Sequence, residues 1–221
     1  MLRILGYPQV WESMKRIVEP EILDDLAPDD PNAVRSRKDL RLINRFMAGE
    51  AWILKQVSNM KNVRRIVELG AGDGQLSNAL KSQQSECVVV ALDLVPRPKS
   101  AADGVIWESV SVLDYDGYDE HCIVVANLFI HHLQDSELRS LGEKLKDVRA
   151  GVFAEPHRKK SALCMGRLIF PVVNHVTRHD MITSIKAGFV RGEIEGLLGS
   201  GFQWSEGSGF FGGIRMIGER Q

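Results

Sequence analysis

The residues best suited to chemistry form a glycine-rich loop in the first half of the chain. Residues 66–69 are apolar except for Glu68, and Gly70, Gly72 and Gly74 follow before a stretch with helical periodicity. Glycine tolerates positive φ angles and lets a ligand approach the backbone without meeting a Cβ. The helix behind the loop offers unpaired N–H groups in its first turn. A strand, a glycine loop and a helix in this order predict a cradle for a nucleotide-like ligand.

The spacing of the glycines narrows the choice of ligand. A dinucleotide fingerprint requires glycine at its sixth position, where Gln75 stands, and the Lys-Ser/Thr ending of a phosphate-binding loop is absent. The acidic-x-Gly-x-Gly-x-Gly pattern resembles the first motif of class I S-adenosylmethionine-dependent methyltransferases. That resemblance implies S-adenosylmethionine as cofactor, without a pyrophosphate, and S-adenosylhomocysteine as product. It also implies cofactor-binding roles for the loop residues Glu68, which would brace the loop, Gly70, Ala71, Gly72 and Gly74.

Three further segments fit the same family. Asp93 ends the second apolar run, 19 residues after Gly74, where a carboxylate can accept hydrogen bonds from both ribose hydroxyls. Residues 111–114 resemble the third motif of the family. Residues 124–133 resemble its fourth motif, in the apolar-His-His-Leu variant of the ubiquinone- and menaquinone-type methyltransferases. The resemblance covers residues 63–221 and implies further cofactor contacts from Leu94, Leu113, Asp114 and Asn127.

Two histidines follow the fourth-motif strand, where the methyl group of the cofactor is expected. Methyl transfer mainly requires alignment of a nucleophile behind the methyl group, and an oxygen nucleophile usually needs a base as well. Histidine has a suitable intrinsic pKa, so His131 and His132 are the candidate bases. The alternative is that these side chains only pack and form hydrogen bonds with the backbone.

A second candidate region follows the apolar run at residues 151–154. Residues 157–184 are too many for a simple connection, and their apolar stretch would suit a hydrophobic or aromatic acceptor. The region resembles, more loosely than the core motifs, that of a bacterial subgroup linked to polyketide- or quinone-like products. We expect this insert to shape the acceptor pocket, with His157 and His179 as reserve catalytic candidates. The competing interpretation is a surface helix with a solvated run of charges.

The elements that position these residues follow from short apolar runs that alternate with helical stretches after residue 62. Such runs are typical of strands buried on both faces, and their alternation with helices predicts an open, doubly wound parallel α/β sheet. A turn between two apolar segments near the C-terminus predicts an antiparallel hairpin. The family's Rossmann-like sheet has seven strands, mostly parallel, with such a hairpin. The predicted strands are 66–69, 87–92, 122–126 and 151–154, the helices 75–83, 136–148, 165–176 and 192–198, and the hairpin turn 206–209.

The first 62 residues contain no strong strand signal. A short amphipathic helix is predicted at residues 10–18, and one or two helices, broken near Gly49, are predicted after residue 32. The chain is therefore divided into a helical N-terminal cap, 1–62, and a methyltransferase domain, 63–221. The cap is expected to lie over the cofactor site, where Arg41, Asn44 or Arg45 could meet the cofactor carboxylate.

The composition of the chain limits the classes of protein and of binding partner that remain. The 221 residues are 44% hydrophobic and 26% charged, as in ordinary globular domains. A formal charge of −1 supplies no net attraction to nucleic acid or to an anionic membrane, and no apolar run is long enough to predict a membrane span. Three scattered cysteines and the absence of a signal-peptide pattern favour a reducing, cytoplasmic location. No cluster of ligating residues has the spacing of a metal site.

The sequence thus predicts an enzyme that transfers a methyl group from S-adenosylmethionine to a small-molecule acceptor. The expected target is oxygen or carbon on an aromatic, quinone-like or lipid-linked ring. The alternative is a regulatory or assembly module that binds the cofactor or its product without turnover. A nicotinamide-dependent reductase ranks lower, because position 75 is not glycine and Tyr115 and Tyr118 lack a lysine four residues on. The acceptor and the oligomeric state stay open.

Overall fold

A mixed seven-stranded sheet forms the centre of the protein in a computed structural model that describes residues 14–27, 29–199 and 201–220. The strand order is β3-β2-β1-β4-β5-β7-β6, with β1 to β5 parallel and β7 antiparallel to both of its neighbours. This is the predicted doubly wound sheet with a C-terminal hairpin, so the fold class is confirmed. The strands are β1 (Arg65–Leu69), β2 (Val88–Asp93), β3 (Val105–Ser109), β4 (Cys122–Asn127), β5 (Ala150–Pro156), β6 (Gln203–Ser208) and β7 (Gly213–Glu219).

Helices cover both faces of the sheet. Successive residues of a strand point to opposite faces, so Ile66 and Val67 of β1 enter different halves of the core. One half contains the apolar sides of α3 and α4, and the other contains those of α5 and α8. The helices are α1 (Ile22–Asp25), α2 (Pro31–Met47), α3 (Gly49–Asn59), α4 (Gln75–Gln83), α5 (Asp135–Lys144), α6 (Lys160–Leu168), α7 (His175–Ala187) and α8 (Glu193–Leu198).

Several predicted boundaries are correct. Helix α4 occupies the predicted residues 75–83, and α8 begins one residue later than expected. The break near Gly49 is also confirmed, because Ala48 adopts a left-handed conformation with φ of +52° between α2 and α3. The C-terminal hairpin is present, but its turn follows residue 208 rather than spanning 206–209, since β6 extends to Ser208.

Other expectations are wrong. The sequence pattern missed β3, because this edge strand is largely exposed and lacks a continuous apolar run. The helix predicted at 136–148 ends at Lys144, and the one predicted at 165–176 is interrupted by a 3-10 turn, Phe170–Val172, between α6 and α7. Residues 14–18 form no regular secondary structure, so the helix predicted at 10–18 is wrong over that part, and residues 10–13 lie outside the described residues.

Two further properties bear on the chemistry. Cys87, Cys122 and Cys164 are all free thiols, and the first two are buried. Within the described part of the chain, no helix has the length and apolar character needed to cross a membrane.

Candidate active site

The candidate site lies where the strand order reverses, at the carboxyl ends of β1 and β4. Leu69 and Ala126 are paired at the ends of these neighbouring strands, and the chain leaves them in different directions. In open α/β sheets this reversal opens a crevice in which ligands bind. The glycine loop fills one side of it. Gly70, Gly72 and Gly74 have φ values of +67°, +56° and +78°, which explains why glycine stands at each position.

Asp93 at the end of β2 is joined directly to this loop. One carboxylate oxygen, Oδ2, accepts a hydrogen bond from the backbone N–H of Gly72 at 2.7 Å, and Oδ1 accepts one from the N–H of Val95 at 3.1 Å. A carboxylate has about four acceptor positions, so two bonds leave room for hydroxyl donors. Leu94, the next residue, is 77% exposed and offers an apolar surface beside the carboxylate.

The remaining predicted cofactor residues lie along the same edge of the sheet. Asp114 follows β3 and is exposed, with no side-chain hydrogen bond among the described residues, whereas Leu113 packs against the core. Asn127 ends β4 and lies against Gly49, where a Cβ would clash with the Asn127 side-chain oxygen. Ala71 is buried, and its N–H donates to the Leu92 carbonyl at 3.0 Å.

Carboxylates dominate the electrostatics of the glycine loop. Glu68 is buried and accepts a hydrogen bond from the Ser77 hydroxyl. Burial raises the pKa of Glu68 to about 8, and the neighbouring charges of Glu50 and Asp93 add to this effect. The pKa of Glu50 is raised by burial and by Asp73. This surrounding favours a ligand with positive charge and disfavours a pyrophosphate.

Phe129 connects the glycine loop to the two histidines. Its ring packs so closely on Gly70 that a Cβ there would clash with it, and its centroid is 6.4 Å from that of His132. The preceding residue, Leu128, has a φ of +55°, an uncommon conformation for a branched residue. This bend directs the backbone N–H groups of Phe129 and Ile130 toward Glu155, where both donate to Oε1 at 3.0 and 3.1 Å.

His131 and Glu155 form a buried dyad. The Nδ1 atom of His131 lies 2.7 Å from Oε2 of Glu155, and both side chains are almost fully buried. Because Glu155 already accepts two backbone N–H groups, we assign it as a carboxylate that receives the Nδ1–H of His131. This hydrogen bond leaves Nε2 as the ring nitrogen that Glu155 does not engage. Nε2 is buried, has no hydrogen-bond partner among the described residues and lies 3.9 Å from Oε1 of Glu21.

The two histidines differ in their proton affinity. Burial lowers the pKa of His131, but its hydrogen bond with Glu155 and its charge interactions with Glu155 and Glu21 outweigh that effect and raise the pKa to about 9. Burial and the adjacent charge of His131 lower the pKa of His132 to about 4. The environment therefore separates a basic imidazole from a neutral one, although their rings are only 4.2 Å apart.

His131 of the dyad lines a cavity of about 610 Å³ between α2, α6 and α7. Most of its wall is apolar, and its polar lining residues include the cluster of Glu21, His131 and His132. No lysine or arginine is found among the described residues that line it. Such a cavity, apolar with a few polar groups, is typical of a binding site for a small hydrophobic molecule.

A segment without regular secondary structure, residues 14–21, places Glu21 beside His131, and we call it the N-terminal strap. Arg16 of the strap donates to the carbonyls of Ala187, His131 and Leu133 at 2.8 to 3.0 Å and forms an ion pair with Asp135 at 2.6 Å. At the end of the strap, the Ser184 hydroxyl donates to Glu21.

The structure does not bring the reserve histidines to the cavity. His157 follows β5 outside the cavity lining, and burial, with the nearby charges of Lys159 and Arg191, lowers its pKa to about 4. His179 is half-exposed on α7 and pairs with Asp180 at 3.0 Å. Asp180 itself accepts from the N–H groups of Ile22 and Leu23 and thereby caps α1.

Sequence reasoning did not single out Glu21 or Glu155. Glu155 carried a recognisable signal, because it ends an apolar strand at the same edge of the sheet as Asp93. Glu21 carried none, since only the tertiary path of the strap brings it to the histidines. The same contact creates a cluster that sequence spacing did not predict. Glu21, His131 and His132 each offer a potential metal-ligating atom within 4.8 Å of the others.

Comparison with known proteins establishes the fold but no family membership. No protein-family model and no curated protein matches the chain. Among solved structures, the plantazolicin methyltransferase BpumL, in complex with a pentazolic desmethylPZN analog and SAH, is 12% identical. It superposes with a TM-score of 0.68 over 87% of this chain and 92% of its own.

Two longer proteins share the same architecture. The pyocyanin biosynthetic protein PhzM has a TM-score of 0.60 and 17% identity over 87% of this chain and 60% of its own. Human N-acetylserotonin methyltransferase in complex with SAM has a TM-score of 0.58 and 11% identity over 89% of this chain and 61% of its own. The chain therefore has the fold found in S-adenosylmethionine-dependent methyltransferases.

Proposed function

We propose that the protein is an S-adenosylmethionine-dependent methyltransferase that methylates a hydroxyl group on a hydrophobic, aromatic small molecule. The observation that carries this proposal is the Glu155–His131 dyad, in which His131 lines the apolar cavity and its Nε2 atom has no hydrogen-bond partner among the described residues. C-methylation of the same class of ring is the second form of the reaction that the cavity could accommodate. We place the protein in the cytoplasm on the basis of its scattered, unpaired cysteines.

The residues at the glycine loop fit the proposed cofactor. Asp93 would accept the ribose hydroxyls, Leu94 would cover one face of the adenine and Asp114 would accept its amino group. The carboxylates around the loop suit a ligand that carries a sulfonium and an ammonium group, whereas they would repel the pyrophosphate of a dinucleotide. The glycine-loop fold and the SAM or SAH bound in the structural neighbours support this assignment.

The cofactor supplies an already activated methyl group, so the protein's task is to orient the acceptor and remove its proton. The Nε2 atom of neutral His131 would accept the proton of the acceptor hydroxyl, while Glu155 holds the ring through Nδ1 and stabilises the imidazolium that forms. A phenol with a pKa of about 10, like that of tyrosine, is well matched to a base of pKa about 9. This match favours a phenolic hydroxyl over a more weakly acidic alcohol.

Calorimetric titration with S-adenosylmethionine, S-adenosylhomocysteine and NAD tests the cofactor assignment. We expect the first two to bind and NAD not to bind. The Asp93→Ala variant should lose about 1.5–3 kcal/mol of binding free energy, because charge-assisted hydrogen bonds are removed. Asp93→Asn, which keeps the shape and one acceptor oxygen, is the matched control and should lose less. Unchanged affinity in a folded Asp93→Ala variant would refute the ribose assignment.

Turnover is tested with phenols and quinols that carry alkyl chains of different length, by following S-adenosylhomocysteine formation. We expect His131→Ala to lower the turnover of an accepted phenol at least about a hundredfold, the usual contribution of a general base. Its affinity for S-adenosylmethionine should stay unchanged. His175→Ala, at the exposed start of α7, is the control. Cofactor binding without turnover of any acceptor would favour the alternative of a binding module.

A further inference from the structure

Large apolar side chains are exposed around the mouth of the cavity. Five of them, which we call the apolar rim, are 54% to 78% exposed, although each belongs to a residue type that is usually buried. Four also line the cavity, and the rings of Phe46 and Phe211 are 6.2 Å apart. The rim consists of Leu42, Phe46, Leu168, Val172 and Phe211.

The rim joins three separate parts of the chain on one surface. Leu42 and Phe46 are one turn apart on α2, and Leu168 ends α6. Val172 ends the 3-10 turn that follows α6, and Phe211 lies in a second short turn, Phe210–Gly212. Isolated exposed apolar residues are common on protein surfaces, but a contiguous group around a cavity marks an interaction surface. The continuity of rim and cavity means that a hydrophobic molecule could pass between them without crossing a polar barrier.

Exposed basic side chains lie on the two helices that carry Leu42, Phe46 and Leu168 of the rim. The outward face of α2 carries Arg35, Lys38 and Arg45, and that of α6 carries Lys160 and Arg167. None of these five, which we call the basic collar, forms an ion pair with any described residue. The formal charge of the whole chain is only −1, so this positive charge is a local feature that the total conceals.

Acidic side chains on the same helices do not offset the collar. Helix α6 contains none, and α2 contains only Asp39. The Oδ2 atom of Asp39 is engaged inside the protein, where it accepts from Asn174 N–H at 2.9 Å and from the Thr177 hydroxyl at 3.2 Å. The exposed carboxylate at the cavity itself is Asp24, on α1.

We propose that the apolar rim and the basic collar form a docking surface for an anionic lipid bilayer. A helix with exposed apolar residues and only basic exposed charges is typical of proteins that lie on a membrane surface. The rim would enter the region between headgroups and acyl chains, and the collar would contact anionic headgroups. In this position the cavity mouth faces the bilayer, so a lipophilic acceptor could enter directly; this last role rests on the proposed function.

Co-sedimentation with lipid vesicles tests the docking surface without cofactor or acceptor, so its result is independent of the methyltransferase proposal. The protein is mixed with vesicles of pure phosphatidylcholine or of equal parts phosphatidylcholine and phosphatidylglycerol. We expect clearly stronger binding to the anionic vesicles, and we expect added salt to weaken it, because salt screens exposed charges. Equal binding to both vesicle types, or no binding, would overturn the proposal.

Variants on the docking surface are compared with matched variants elsewhere. The double charge reversal Arg35→Glu/Lys38→Glu should weaken binding to anionic vesicles by about 25-fold or more, since each basic residue near such a surface contributes roughly a fivefold increase in affinity. Lys55→Glu/Lys61→Glu makes the same charge change away from the cavity and should bind much more strongly than the first pair. Leu168→Ser should also weaken binding, whereas Ile106→Ser on β3 should not.

The same variants separate a membrane surface from a contact between two copies of the chain. Circular dichroism verifies that each variant is folded, and analytical ultracentrifugation reports its oligomeric state. We expect Leu168→Ser to leave the oligomeric state unchanged. If it instead dissociates an oligomer and vesicle binding is unaffected, the rim is a subunit interface and the membrane proposal is wrong.

Discussion

At the scale of single residues, the protonation of His131 decides when the proposed base can act. Two carboxylates raise its pKa to about 9, so the imidazole is largely protonated at neutral pH and accepts a proton efficiently only as the pH approaches that value. The same raised pKa determines how the stability of the protein depends on pH. The interaction of protonated His131 with the two carboxylates stabilises the native state fully below the unfolded pKa of about 6.5. This stabilisation is lost as the pH rises through about 9.

NMR titration of the His131 imidazole tests this protonation directly, without an acceptor. We expect His131 to titrate near pH 9 in the native protein and at a clearly lower pH in Glu155→Gln, because the amide removes the charge that stabilises the imidazolium. The exposed His175 provides an internal control that the substitution should leave unaffected. If His131 titrates at the same pH in both proteins, Glu155 does not set its basicity.

A second prediction at this scale concerns Glu68, whose buried carboxyl has a pKa of about 8. A ligand with positive charge should lower that pKa, so binding of S-adenosylmethionine near neutral pH should release protons. The measured binding enthalpy should then vary with the ionisation enthalpy of the buffer. The variation should largely disappear in Glu68→Gln, which retains a side chain that can bond to Ser77. Equal proton release in both proteins would assign the effect to another group.

At the scale of elements, the N-terminal strap is predicted to stabilise the turn that carries the two histidines. Arg16 is the main connection, since its nearly buried guanidinium donates to three carbonyls and lies 4.9 Å from the centre of the Phe189 ring. Arg16→Ala should therefore reduce the free energy of unfolding by about 2–4 kcal/mol, measured by urea denaturation. Arg139→Ala, on the exposed face of α5, should change it by less than about 0.5 kcal/mol.

The success of sequence-based prediction differs between elements for physical reasons. The glycine loop and α4 could be predicted because their signals are local: a buried apolar run, glycines that must adopt positive φ, and helical periodicity. Strand β3 could not, because one neighbour and much exposed surface leave it without an apolar pattern. The candidate cofactor residues on the strand ends near the loop were selected by the same kind of local signal, and their roles stay predictions.

The acceptor side of the site could not be predicted from the sequence, because its residues come together only in the tertiary structure. Glu21 reaches His131 through the path of the N-terminal strap, part of which the sequence pattern predicted to be a helix. The cavity lies between α2 and the α6–α7 region, whose break the apolar pattern did not indicate. An insert that shapes a pocket could be expected from sequence, but neither the side chains that face the cavity nor its contact with the dyad could be assigned.

At the scale of the whole molecule, the proposed cofactor site connects segments of the first half of the chain with the centre of the sheet. A ligand bound there would contact the ends of β1, β2 and β4 at once, so we expect it to stabilise the fold as a unit. A ligand at a hundredfold excess over its Kd adds about 2.7 kcal/mol to the stability of the native state. For a chain of this size, each kcal/mol corresponds to a rise in Tm of about 2–4 °C.

Thermal unfolding with saturating S-adenosylhomocysteine should therefore show a Tm about 5–10 °C above that of the free protein. Asp93→Ala should show a much smaller rise at the same ligand concentration, and NAD should produce none in either protein. His131→Ala should retain the full rise, because His131 lies at the acceptor cavity and not at the glycine loop. A rise that is lost in His131→Ala but kept in Asp93→Ala would locate the ligand in the cavity and contradict the proposed division of the site.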